Sequence, residues 1–123
     1  MRASWAAMLF IRENQMAALG RPHRDEFIDE VLALIARHWP NSLKRRGEAD
    51  LRAMIDATID EAARYGVTTR RDVMKLVNVK LALGDDFVER HAWARQILTD
   101  AVLTPEERMS RITEAAFHAL DPS

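Results

Sequence analysis

The chain has 123 residues, 48% of them hydrophobic and 30% charged, which is enough of each to build and solvate one domain. Eighteen basic and nineteen acidic residues leave a net charge of −1, which excludes the broad positive field that nucleic-acid or anionic-membrane binding generally uses. The absence of cysteine excludes disulfides, thiolate nucleophiles and cysteine-based metal sites.

The N-terminal segment (residues 1–20) is rich in bulky apolar side chains. An amphipathic helix from Ser4 to Leu19 is predicted by the near-helical spacing of Trp5, Met8, Leu9, Met16 and Leu19. A signal peptide is disfavoured, since the apolar run Ala3–Ile11 leads straight into Arg12 without a small-residue cleavage site. No run approaches the ~20 apolar residues that span a bilayer. We therefore expect a cytoplasmic protein with no membrane partner.

Helical patterns continue through the first half of the chain. Apolar residues from Phe27 to His38 fall on one stripe of a second helix, which Pro40 ends. Residues Asn41–Gly47 are mostly polar and predict a loop. A third amphipathic helix is predicted over Leu51–Ala62.

The middle of the chain joins a helix stop to a helix start. Gly66 can adopt the left-handed conformation that ends a helix, and Thr69 with Asp72 resembles a capping box. The fourth helix, over about residues 70–83, is apolar on almost every side. Such a pattern is typical of a helix enclosed by its neighbours. We therefore expect a buried central helix.

Gly84 ends this central helix and an acidic turn follows. A fifth helix is predicted from Trp93, Ile97, Leu98 and Val102. Thr104, Pro105 and Glu107 form a strong helix start, and the last helix is predicted from Met109, Ile112, Ala116 and Leu120. No useful alternating run predicts a strand. The expected fold is an all-α, compact, single-domain bundle of about six short helices over residues 1–123.

Motifs for catalysis or cofactor binding do not occur in the sequence. There is no phosphate-cradling glycine loop and no nucleophile elbow. The histidines lack metal-ligand spacing: His23, His38, His91 and His118. We therefore expect no enzyme activity, no cofactor and no metal.

The residues are compatible with two kinds of binding function, DNA binding and protein binding. The third and fourth helices resemble a helix-turn-helix with Arg70, Arg71 and Lys75 at its reading end, but the fourth helix lacks the polar face that a DNA groove requires. Protein binding is better supported, because the N-terminal segment carries more bulky apolar groups than one helical stripe can bury. We expect a protein partner and no nucleic acid, while self-association stays open.

Several short sequence motifs, which we call marks, follow one another in an order that resembles a known protein family. These marks are Arg37-His38-Trp39-Pro40, Tyr65-Gly66-Val67-Thr68, Arg71-Asp72-Val73, Leu83-Gly84-Asp85-Asp86-Phe87, Trp93-Ala94 with Ile97-Leu98, and Glu107-Arg108-Met109 with Arg111-Ile112. The order resembles that of small all-helical proteins encoded beside type VI secretion effectors and their spike-tip components in Gram-negative bacteria. The resemblance does not extend over residues 1–24.

The resemblance implies a non-catalytic adaptor or co-chaperone that holds a secretion effector, or the larger chaperone of that effector. For such a role, the predicted protein-binding residues are Trp5, Met8 and Phe10, with an acidic turn formed by Asp85, Asp86 and Glu89 that steers a basic partner. An immunity protein that neutralises a cognate toxin is an alternative with the same sequence features. A helix-turn-helix-like nucleic-acid-binding module is the less favoured alternative.

Overall fold

The structure is a computed structural model that describes residues 21–120. This part of the chain contains seven helices and no strand, which confirms the all-α prediction. In chain order the helices are α1 (Arg21–His38), α2 (Pro40–Arg46), α3 (Glu48–Arg64), α4 (Arg70–Leu83), α5 (Phe87–Arg90), α6 (Ala92–Leu98) and α7 (Pro105–Leu120).

The loop predicted over Asn41–Gly47 is wrong, because these residues continue as the short helix α2. Pro40 occupies a first-turn position, where its missing N–H is not needed. The carbonyl of Trp39 accepts hydrogen bonds from the N–H groups of Ser42 and Leu43 at 3.1 and 3.2 Å. Gly47, at φ +85°, ends the helix. Pro40 therefore ends one helix and begins the next.

The predicted fifth helix is also divided differently. Residues 87–90 and 92–98 form two short helices, α5 and α6, and the chain leaves helical geometry after Leu98. Val102, which the pattern assigned to this helix, is 90% exposed in the following turn. The carboxylate of Asp100 accepts its backbone N–H at 3.0 Å, so the local turn outcompetes continued helix.

The central position of α4 agrees with the prediction from its apolar sequence. The most extensive helix–helix contact joins α4 to α7, and α3 packs against another side of α4. From Asp72 to Gly84 every residue of this stretch is buried or partly buried. A single core cluster of buried apolar side chains includes Ile35 from α1, Ile55 from α3 and Ile112 from α7.

The turn between α3 and α4 is fixed by hydrogen bonds at both ends. The N–H of Gly66 donates to Ala63 O at 3.0 Å and that of Val67 to Ala62 O at 2.9 Å, with Gly66 at φ +77°. This pair of bonds is a Schellman motif. Thr69 Oγ1 accepts the N–H of Asp72 at 3.1 Å, which begins α4 as predicted.

A buried lysine joins α3 to α4 inside the bundle. Lys80 is only 4% exposed, and its Nζ donates to Glu61 Oε2 at 2.9 Å and to Thr58 Oγ1 at 3.0 Å. Glu61 is mostly buried as well. Each charged group therefore compensates the desolvation of the other.

Replacing Lys80 alone is expected to be strongly destabilising, because Glu61 would keep a mostly buried and uncompensated charge. We expect Lys80→Met to lower the free energy of unfolding by about 3 kcal/mol in urea titrations. The double variant Lys80→Met with Glu61→Leu should recover most of that loss. Equal losses in the single and double variants would show that the ion pair is not the cause.

A capping box begins α7. Thr104 Oγ1 accepts the N–H of Glu107 at 3.1 Å, and Glu107 Oε1 accepts the N–H of Thr104 at 2.9 Å. These reciprocal bonds confirm the helix start predicted from the sequence. The hydrogen bond from the Thr104 backbone, followed by that from its side chain, lowers the pKa of Glu107.

The capping box predicts an acid-dependent loss of stability. Because the pKa of Glu107 is lower in the folded state, its contribution is present above the unfolded value of 4.5 and is lost as the pH falls through the folded pKa. We expect the stability of Glu107→Gln to fall less than that of the parent chain when unfolding is followed below about pH 4.5. Parallel pH profiles for the two proteins would contradict this assignment.

Candidate protein-binding surface

The structure describes only some of the predicted protein-binding residues. Trp5, Met8 and Phe10 lie outside the described residues. The acidic residues lie within them, on the turn between α4 and α5 and on α5 itself: Asp85, Asp86 and Glu89. All three are exposed. The predicted steering role therefore depends on how much of their charge is already paired.

Asp85 is bound by an arginine from a distant part of the chain. Arg46 Nη1 and Nη2 donate to the two carboxylate oxygens of Asp85 at 2.9 and 2.7 Å, and Arg46 Nε donates to Asp50 Oδ2 at 2.5 Å. The hydrogen bonds that Arg46 donates to Asp85 raise the pKa of Arg46 above its ordinary value. One guanidinium thus ties α2, α3 and the acidic turn together.

The other two acids differ in their pairing. Asp86 lies 3.2 Å from Arg90 Nε, one helical turn onward, and the guanidinium of Arg90 also donates to the carbonyl of Leu83. The backbone carbonyl of Glu89 accepts a hydrogen bond from Arg95, and its side chain is exposed. A basic partner would have to compete with Arg46 and Arg90 for two of the three carboxylates.

The largest exposed apolar side chains of α7 lie near its C-terminal end. Phe117 is 71% exposed and Leu120 is 55% exposed. Leu120, which helped to predict this helix together with Ile112 and Ala116, does lie in it but is exposed, whereas the other two residues are buried. This part of α7 presents hydrophobic surface to its surroundings.

A shallow groove of about 380 Å³ lies between α4 and this end of α7. Its surface is mainly apolar, with Phe117 at one wall. The complete lining is Lys75, Ser110, Thr113, Glu114, Phe117 and His118. A single apolar side chain from another protein would fit beside Phe117.

A second depression continues along α7 toward its N-terminus. It has a volume of about 530 Å³ and shares Ser110 and Glu114 with the first groove. The remaining lining residues are Glu106, Glu107 and Arg111. Three carboxylates against one guanidinium make this depression acidic. One face of α7 thus changes from acidic to apolar along its length.

A further groove of about 490 Å³ lies between α4 and α1. Its lining is Leu34, His38, Trp39, Met74 and Asn78. Leu34 is 38% exposed although its neighbours on α1, Val31 and Ile35, are buried in the core. The two grooves flank the outward side of α4, where Met74 and Lys75 are partly exposed.

The geometry around α4 does not favour a DNA-reading helix. Arg70 forms an ion pair with Glu30 and lies over the ring of Phe27, 5.4 Å from its centroid. Lys75 Nζ lies 3.7 Å from Asp72, whose buried Oδ1 has no hydrogen-bond partner among the described residues. Arg70 and Lys75 are thus already paired with carboxylates, while Arg71 is exposed. A reading helix instead presents free polar side chains to the groove.

Two basic side chains in the interior bind carboxylates. Lys80 binds Glu61 as described above, and the mostly buried Arg24 binds Asp56 at 2.8 Å and Asp60 at 3.0 Å. Between residues 21 and 120, no group of three or more His, Asp or Glu side chains is arranged to hold a metal ion. Over the same stretch, no helix has the length and apolarity required to cross a membrane.

Comparison with known proteins gives no relative for this chain. No protein-family model, no curated protein and no solved structure matches it.

The apolar surface of α7 was not predicted from the sequence, because the pattern that defines this helix does not say which of its apolar residues are exposed. One signal was present: Phe117 directly follows the core position Ala116 and therefore points about 100° away from it on a helix. A residue displaced this far from the buried stripe is expected to be exposed, and Phe117 is 71% exposed.

The Arg46 contacts predict a difference between two neighbouring arginines. We expect Arg46→Ala to lower the free energy of unfolding by about 1 kcal/mol, because it breaks a bidentate bond to Asp85 and a second bond to Asp50. Arg45→Ala is the matched control, since Arg45 is exposed on the same helix. Its effect should stay within about 0.5 kcal/mol in the same urea titration.

Proposed function

We propose that this chain is a non-catalytic, protein-binding adaptor or co-chaperone for a bacterial type VI secretion effector or for the chaperone of such an effector. The proposal combines the sequence resemblance described above with the exposed surface of α7. In this role the chain binds another protein without catalysing a reaction, and its helical scaffold presents an apolar anchor site to that partner.

The exposure of Phe117 beside the groove between α4 and α7 is the observation that carries the proposal. Aromatic residues are the commonest anchors of protein interfaces, and burying one ring contributes strongly to binding. Leu120 lies one helical turn further along and extends the same apolar surface. A partner would bury both side chains at once.

The acidic depression on α7 indicates the charge of the partner. Glu106, Glu107 and Glu114 outnumber Arg111 there, and the depression joins the apolar groove at Ser110 and Glu114. A matching partner would place apolar side chains against Phe117 and basic side chains along the preceding turns of α7. Charge complementarity of this kind mainly increases the association rate and the specificity.

The marks that carry the resemblance lie mostly where helices begin or end. One spans the change from α1 to α2 at Trp39 and Pro40, another the turn at Gly66, and a third the turn at Gly84. These positions set the angles between helices and therefore the shape of the scaffold. They support a shared architecture with the adaptor family, while the α7 surface supports the binding role.

Truncating the two exposed side chains of α7 should weaken partner capture. The tagged chain is co-expressed with an effector or effector chaperone encoded beside its gene, and the co-purified partner is quantified. We expect the double variant Phe117→Ala with Leu120→Ala to reduce capture by about tenfold or more, because interface anchors of this size contribute more than 1 kcal/mol.

Val102→Ala is the matched control, since Val102 is an exposed apolar residue in the turn before α7 and lines none of the grooves described above. It should leave capture unchanged, and all variants should keep the parent helical circular dichroism. Full capture by the double variant would reject the α7 surface. Protection of cells from the toxicity of a co-expressed effector would favour the immunity function instead.

A further inference from the structure

One side of the central helix reaches the surface of the bundle. Arg71, Met74, Lys75 and Asn78 fall on this side with the i, i+3, i+4 and i+7 spacing of a single helix face, and we call them the α4 stripe. Arg71 is exposed and the other three are partly exposed, whereas the four residues between them in the sequence are buried. The bundle therefore leaves this stripe open to contact with another molecule.

The two apolar grooves described above border the α4 stripe. Met74 lines the groove shared with α1, and Lys75 lines the groove shared with α7. These two residues are about 100° apart around the helix axis, and the rest of the stripe falls between them. Leu34 on α1 and Phe117 on α7 are exposed at the far walls of the two grooves. A single surface thus extends from α1 across α4 to α7.

The shape of this surface suits a helix from another protein. Two helices pack with their axes about 8–10 Å apart, the side chains of one entering the grooves of the other. The 14 residues of α4 measure about 21 Å, so a partner helix of similar length would reach both grooves at once. An extended peptide would have no sheet edge to join, because residues 21–120 contain no strand.

The charge of the α4 stripe indicates what such a helix carries. No carboxylate forms an ion pair with the exposed Arg71 among the described residues. Lys75 is paired loosely, at 3.7 Å from the buried Asp72, and Glu114 of α7 lines the same groove. The stripe itself holds two cations and no carboxylate, so a second copy of the chain would bring only like charges to a contact between stripes. An acidic partner therefore suits it better.

We propose that the α4 stripe binds an amphipathic helix of the partner protein, with apolar side chains in the two grooves and a carboxylate against Arg71. This inference rests on the binding role proposed above and names the part of the partner that occupies the surface. It adds Leu34 and Met74 to the contact made by Phe117. The basic side chains that the acidic depression requires lie on the side of the partner helix that faces α7.

A designed peptide tests this site without the natural partner. The probe is a hydrocarbon-stapled helix of about 14 residues with leucines along one face and glutamates at one end of that face. Its comparison peptide has glutamine in place of every glutamate. Affinities are measured by fluorescence anisotropy, and backbone amide NMR shifts locate the site. We expect the glutamate peptide to bind about fivefold more tightly, because its charge complements the stripe.

Two arginine variants serve as a matched pair in this measurement. Arg71→Ala should abolish the preference for the glutamate peptide, whereas Arg45→Ala, which removes an exposed arginine from α2, should preserve it. Because both side chains are exposed, both variants should keep the parent circular dichroism.

Three results would overturn the proposal. The first is equal affinity of the parent chain for the two peptides, or no binding below about 1 mM. The second is a set of peptide-induced amide shifts that lie outside the surface from α1 to α7. The third is a concentration-dependent dimer of the chain whose amide shifts fall on the α4 stripe, since it would assign the stripe to a second copy.

The partner-capture experiment separates this inference from the proposed function. We expect Arg71→Glu to lower capture about fivefold. Loss of capture by the double variant of Phe117 and Leu120, together with full capture by Arg71→Glu, would reject the helix site and keep the adaptor role. No capture by the parent chain would reject the adaptor role, while the peptide affinities would still decide whether the stripe binds a helix.

Discussion

The position of α7 depends on the glycine-ended turn between α3 and α4. Gly66 ends α3 with a positive φ, and the free carbonyl of Tyr65 accepts a hydrogen bond from Arg108 of α7 at 2.8 Å. A Cβ at Gly66 would meet Pro105 at an ordinary contact distance of 3.5 Å, so backbone conformation rather than space demands glycine here. One turn thus sets the path of α4 and the docking of α7 above it.

The sequence predicted the fold well where helix ends carry specific residue types. The starts at Thr69 and Thr104 and the stops at Gly66 and Gly84 all occur as predicted, because each depends on local backbone hydrogen bonds. The extra helix at Pro40 was missed for a physical reason. Proline there both ends one helix and begins another, and the residue pattern alone does not separate the two outcomes.

The candidate site was less predictable, because it depends on contacts between distant residues. Arg46 and Asp85 are 39 positions apart, so the neutralisation of the acidic turn has no local signal in the sequence. Likewise, the central helix is apolar on almost every side in the sequence, yet it buries Lys80 through a bond to Glu61 on α3. The exposure of Leu120 reflects where the neighbouring helix surface stops, which periodicity does not encode.

Helices α1 and α4 run in the same direction, because Glu30 pairs with Arg70 while His38 and Asn78, eight residues further along each helix, line one groove. Helix α7 follows the same direction, because Arg108 near its start binds Tyr65 just before α4, while Phe117 near its end lines a groove with Lys75 of α4. This shared direction has an electrical consequence. Aligned peptide dipoles in parallel helices add together, whereas those of antiparallel neighbours largely cancel. The carboxyl ends of these three helices therefore concentrate partial negative charge toward one side of the molecule. Each carries cationic or ionisable nitrogen groups in its last turn, at Arg37 and His38, at Lys80, and at His118. These groups and the amino end of the antiparallel α3 offset part of the negative charge that the three helix ends bring together.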